Sequence, residues 1–213
     1  MTITRLLSHP CRFYAESDMC SPIPVVVAIS ALSLLSDIAV LSKPGLDVFA
    51  RDVERLHPPG NLHGVTLVLS IILFKTILVL LGVLGWAVAL NFCLYLATGV
   101  SSFLEVLTIC CYAGYARETV RFVVTIASRA YSAFSQQPLK IVTSVAAVLS
   151  KSTTPEPLYY LASFFDVLEL WFLTLVVIGL WKGVAGLRLR KATLIVSTPT
   201  LILVGLGFWA RHY

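Results

Sequence analysis

A chain of 213 residues that is 58% hydrophobic and 13% charged, with mean hydropathy +0.88, is too apolar for a water-soluble domain. Soluble domains carry charge on roughly a quarter of their residues. The formal charge of +5 fits cytoplasmic loops facing anionic lipid and does not point to nucleic acid.

The composition predicts an all-α, polytopic membrane bundle forming one domain. Five cysteines, Cys11, Cys20, Cys93, Cys110 and Cys111, have no paired spacing. They read as small apolar side chains rather than a disulfide framework.

Residues 1–21 mix Arg5 and Arg12 with Glu16 and Asp18. No short apolar core with a small-residue cleavage site follows, so a signal peptide is not expected. The spacing of Leu6, Leu7, Cys11, Phe13 and Tyr14 predicts a juxtamembrane helix lying in the interface.

The first span is expected at 22–42, capped by Ser21, opened by Pro22 and Pro24, and stopped by Pro44 and Gly45. Asp37 lies near its far end. A polar loop follows, with His57 and His63 around Pro-Pro-Gly-Asn. Two histidines are too few for a metal site, and no metal or cofactor is expected.

The second span is expected at 64–98. It carries Lys75, and Gly82 and Gly85 offer places where another helix can come close. Residues 99–102 break it, and Ser102-x-x-Glu105 has capping-box spacing. An interfacial or re-entrant helix at 103–116, a break near Gly114, and a polar third span at 118–134 come next. A competing reading is one span over 103–127. Arg117, Glu118, Arg121 and Arg129 should avoid lipid; Glu118 and Arg121, three apart, can pair on a helix.

Residues 135–157 read as a linker. The fourth span, 158–181, contains Asp166 and Glu169 in an apolar run and then Trp171. Gly179-x-x-x-Gly183 can admit a close helix neighbour. Four basic residues and no acid follow: Lys182, Arg188, Arg190 and Lys191. They read as a cytoplasmic anchor. The fifth span, 193–209, holds Pro199 and ends near Trp209. Five spans with the basic loop inside put the N-terminus in the cytoplasm and the C-terminus outside.

Charge inside a membrane is costly and defaults to a functional reading. Lys75, Asp166 and Glu169 are expected at one depth and in contact, with Asp37 the next candidate partner. The alternative is a structural ion pair that holds helices together. HExxH, GxSxG, P-loop and GxGD patterns are absent, so an enzyme is not expected.

With the spans in place, the chain resembles the Yip family, five-span membrane proteins named for binding Ypt/Rab GTPases, and its prokaryotic branch in particular. Three stretches carry the likeness. The first is P-C-R-F-Y-A-E at 10–16. The second is the glycine turn, Ser-Phe, Glu105 and Tyr-Ala pattern over 95–115. The third is P-L-Y-x-L at 157–161, then Phe165-Asp166, Trp171, Ile178-Gly179-Leu180, and a basic loop closing on Lys191-Ala192.

The resemblance implies a membrane scaffold or adaptor with no catalysis, whose partners are the lipid bilayer and other membrane proteins. Only 21 residues precede the first span, so small-GTPase binding is not expected. The second reading of the residues is a small transporter or channel built on the intramembrane charges.

Overall fold

The computed structural model describes residues 6, 9–15, 22–40, 61–100, 102–135 and 166–212, with isolated positions between 144 and 162. Every long element among them is a helix. We label them α1 (Pro10–Ala15), α2 (Pro22–Val40), α3 (Asn61–Thr98), α4 (Phe103–Ser135), α5 (Val167–Gly183) and α6 (Leu189–His212).

Helix α4 is the centre of the bundle, and α2, α3 and α5 all pack against it. Its buried face follows helical periodicity: Val106, Ile109, Cys110, Ala113 and Ala116 are all fully buried. Cys110 and Cys111 serve as small apolar side chains in this core, with free thiols.

Helix α3 turns back onto α4 through a tight connection. Gly99 takes φ 72, a left-handed conformation that glycine adopts without steric cost, and its N–H donates to the Tyr95 carbonyl at 2.7 Å. The expected cap at Ser102 takes a variant form. Its hydroxyl donates to Glu105 Oε2 at 2.8 Å, while its backbone N–H donates across the hairpin to Asn91 Oδ1 at 3.2 Å. In a standard capping box the glutamate would accept that N–H; here Asn91 takes it and so locks α3 to α4.

Two expectations about the middle of the chain are corrected. There is no break near Gly114, and α4 runs unbroken through 33 residues. Gly114 serves packing instead: a Cβ there would stand 3.4 Å from Val83 Cγ2 and 3.6 Å from Ile29 Cδ1. The second correction concerns Gly82 and Gly85, where an added Cβ would meet nothing within 4 Å. Neither glycine marks a close helix approach.

The close approach lies at Gly179. A Cβ added there would collide with Ile109 Cγ2 of α4 and come within 3.1 Å of two ring carbons of Tyr14. Three helices converge on this one missing side chain. Helix α1 therefore does more than lie at an interface. Tyr14 is 1% exposed, and Phe13 stacks edge-on against Tyr112 with centroids 5.1 Å apart. Burial, with Cys110 and Tyr112 adding to it, pushes the Tyr14 phenol far up and keeps it neutral.

Two helices are long and apolar enough to cross a membrane among the described residues: Thr76–Thr98 in α3 and Leu189–Trp209 in α6. At 1.5 Å per residue these span about 35 and 32 Å, against a hydrocarbon core of about 30 Å. Only 22% of either apolar window is buried. Phe74, Leu78, Leu81 and Phe92 on α3, and Leu194 and Leu201 on α6, lie open on the outside. Exposed apolar surface of this kind marks a site of membrane or protein–protein contact. Pro22–Leu35 of α2 is a shorter apolar helix. Pro199 lies inside α6.

Candidate functional site

The strongest cluster of polar chemistry joins α4 to α5. The two helices are antiparallel, because Ile109 faces Gly179 at one level and Arg117 meets Glu169 at another. That pairing sets Arg117 in a fork of carboxylates. Its Nη1 donates to Glu169 Oε1 at 2.6 Å. Its Nε and Nη2 both reach Glu118 Oε1 at 3.1 Å. The guanidinium also sits 5.1 Å from the centre of the Phe172 ring, within cation–π range.

Glu118 is 3% exposed and would be a severe liability alone. Arg117 neutralises it, and Arg121 Nη1 stands 3.7 Å away on the next turn. The expected Glu118–Arg121 pair is therefore present at three-residue spacing. The two arginines part company: Arg117 turns into the bundle at 14% side-chain exposure, while Arg121 is 59% exposed. Arg129 has no described side chain.

Asp166 takes a different role from the one its sequence context suggests. It does not sit inside a continuous span. Its backbone is extended (φ −85, ψ 135), and its carboxylate caps α5 by accepting from the Leu168 N–H at 2.7 Å. Asp166 also forms an isolated antiparallel bridge with Ser144. Helix α5 is consequently 17 residues long and begins at Val167. Aspartate is a strong N-cap because its side-chain oxygen satisfies an otherwise orphaned N–H. Glu169, placed in the first turn, also benefits from the positive end of the helix.

Lys75 and Asp37 lie on α3 and α2, but their side chains are outside the described residues, and so is the expected Lys75 contact. The partner of Glu169 among the described residues is Arg117, 52 positions away. Trp171 packs against the core, partly buried. At the other end of α5, the Lys182 ammonium rests 3.8 Å from the Trp181 ring centre. Arg188, Arg190 and Lys191 are exposed around the turn into α6.

Beside the charge cluster is a cavity of about 350 Å³ between α3, α4 and α5. Leu78, Val79, Gly82, Val83 and Trp86 form its α3 wall; Arg117, Glu169 and Phe172 close the other side. Trp86 and Phe172 stack edge-on at 6.2 Å across its base.

The fold and this site define an all-α helical bundle with two candidate membrane-crossing helices and a charge-compensated junction beside an apolar cavity. No family model, curated protein or solved structure matches the chain.

Proposed function

We propose that this chain is an integral membrane scaffold of Yip type, without catalytic activity, that works through protein–protein contacts in the bilayer. One observation carries the reading. Arg117, Glu118 and Glu169 satisfy one another at the α4–α5 junction, so the charge is used to brace helices while the outward faces of α3 and α6 stay apolar. Buried ion pairs fix which helices meet more than they add net stability. The sequence likeness over 10–16, 95–115 and 157–192 supports the same assignment.

In this reading the chain crosses five times. Helices α2, α3, α4 and α6 supply four crossings, and α5, 17 residues long, supplies the other. The exposed Arg188, Arg190 and Lys191 beside Lys182 mark the cytoplasmic side. A reporter fused after Tyr213 is expected outside; a cytoplasmic reporter overturns either the orientation or the odd number of crossings.

The cavity beside Arg117 and Glu169 favours a second reading, a small transporter or channel. Purified protein in liposomes is expected to give no solute flux above empty vesicles. Crosslinking in intact membranes followed by mass spectrometry is expected to recover defined membrane-protein partners. Flux that disappears on filling the cavity, with no recurrent partner, would reverse the order of the two readings.

A further inference from the structure

The turn between α5 and α6 brings together Lys182, Arg188, Arg190 and Lys191, all exposed. No Asp or Glu occurs anywhere after Glu169, and among the described residues no carboxylate pairs with any of the four. Little else at that end of the bundle offsets them. Glu105 lies there on α4, one turn before Ile109, and residues 1–21 carry Arg5 and Arg12 against Glu16 and Asp18. The turn is also held to the bundle. Val184 and Leu187 pack on the core, and the Leu187 N–H donates to the Val184 carbonyl at 3.2 Å.

Arg190 and Lys191 differ from the other two in where they stand. Ala192, Ile195, Val196 and Pro199 of α6 are buried, while Leu194, Thr198 and Leu201 are exposed. At about 100° per residue, Leu201 and Leu194 fall about 20° and 40° round the helix from Arg190, and Lys191 about 100°. The two cations thus flank the top of the outward face of α6. Arg188, just before the helix, falls by the same rotation on the bundle side. The Lys182 ammonium belongs to α5 and rests against the Trp181 ring. Helix α6 starts at Leu189 after a described turn, so the chain reversal itself fixes this edge of the apolar segment. Trp209, exposed at the other end of α6, stands about 29 Å from Arg190 at 1.5 Å per residue, matching a hydrocarbon core of about 30 Å. The cation pair therefore stands at one headgroup level and Trp209 at the other.

We propose that Arg190 and Lys191 hold the phosphate of one phospholipid with a net negative headgroup, of the phosphatidylglycerol class, whose acyl chain lies along Leu194 and Leu201. A guanidinium takes two phosphate oxygens in its fork, and the lysine adds a point charge. One molecule then meets both chemistries of this face, an anion above and a hydrocarbon chain below. A headgroup bearing an ammonium would bring a further cation towards four others. The site rests on the membrane reading of α6 given above.

Carbonate extraction of native membranes comes first: release of the protein overturns the membrane reading and this site together. For protein that stays in the membrane, the test is native mass spectrometry after exchange into nanodiscs of equal phosphatidylglycerol, phosphatidylethanolamine and phosphatidylcholine. The expected result is one retained phosphatidylglycerol, favoured about tenfold or more over the other two, the scale set by two basic side chains beside an anionic lipid. Arg190→Gln combined with Lys191→Gln is expected to lose that preference. Its unfolding midpoint is expected to match the parent, because both side chains are exposed. Lys182→Gln combined with Arg188→Gln removes the same charge from the same turn and is expected to keep most of the preference. No preference in protein that stays in the membrane overturns the site while the membrane reading stands, and assigns the turn to an acidic protein segment instead. Equal loss in the two double variants also overturns it, because the turn then acts as a diffuse positive field with no seat on α6.

Discussion

Replacing Arg117 with methionine is expected to cost about 3–5 kcal/mol, the range for removing one partner of a buried ion pair. The reason is Glu118. It is 3% exposed and reaches Arg117 through two nitrogens at 3.1 Å. Methionine fills much of the volume but leaves that carboxylate with only Arg121, which is 3.7 Å away and largely solvated. Glu169 suffers less, because it is half exposed. The yield of monodisperse protein in mild detergent and its unfolding midpoint are the measurements. Arg117→Met combined with Glu118→Leu is expected to recover much of the loss, since no buried charge then lacks a partner. A single variant as stable as the parent would show that Glu118 is solvated in the membrane. It would also remove the argument that the junction braces the bundle.

The second large effect is expected at Gly179. Even alanine puts a Cβ against Ile109 Cγ2 and within 3.1 Å of the Tyr14 ring. Ile109 is fully buried and Tyr14 is 1% exposed, so neither can swing into solvent. Overpacking of this kind costs about 1–3 kcal/mol for small additions and more for large ones. Gly179→Ala is expected at the upper part of that range and Gly179→Leu beyond it. Gly179→Ala with Ile109→Ala is expected to regain stability, because the second change removes the methyl that collides. If the double variant is worse than either single one, α5 is not seated on α4 as described.

Much of the helix punctuation was legible from local chemistry. Ser102 and Glu105 mark the start of α4, and the left-handed Gly99 marks the end of α3. Gly179 was visible as a point of close approach, although its neighbours were not. The Glu118–Arg121 pair followed from helical spacing alone.

The errors have a common physical origin. Asp166 stands in an apolar run, and hydropathy cannot distinguish a carboxylate buried in a helix from one that begins it. The difference is one backbone conformation and one hydrogen bond to Leu168. Gly114 looked like a break because charges follow it closely. Arg117 and Glu118 stay helical because a partner for them arrives from α5, 52 residues on from Arg117. Local spacing carries no information about such a partner. Gly82 and Gly85 erred in the opposite sense: small residues permit a neighbour without requiring one.

The seat of Tyr14 between Ile109 and Gly179 also fixes an order of events during synthesis. Tyr14 leaves the ribosome roughly 165 residues before Gly179, which at about 5–20 residues per second is a wait of roughly 8–33 seconds. The contact has no complete form until the later partner exists. Helix α1 is thus made well before it can be locked, in a closing step that waits for α5.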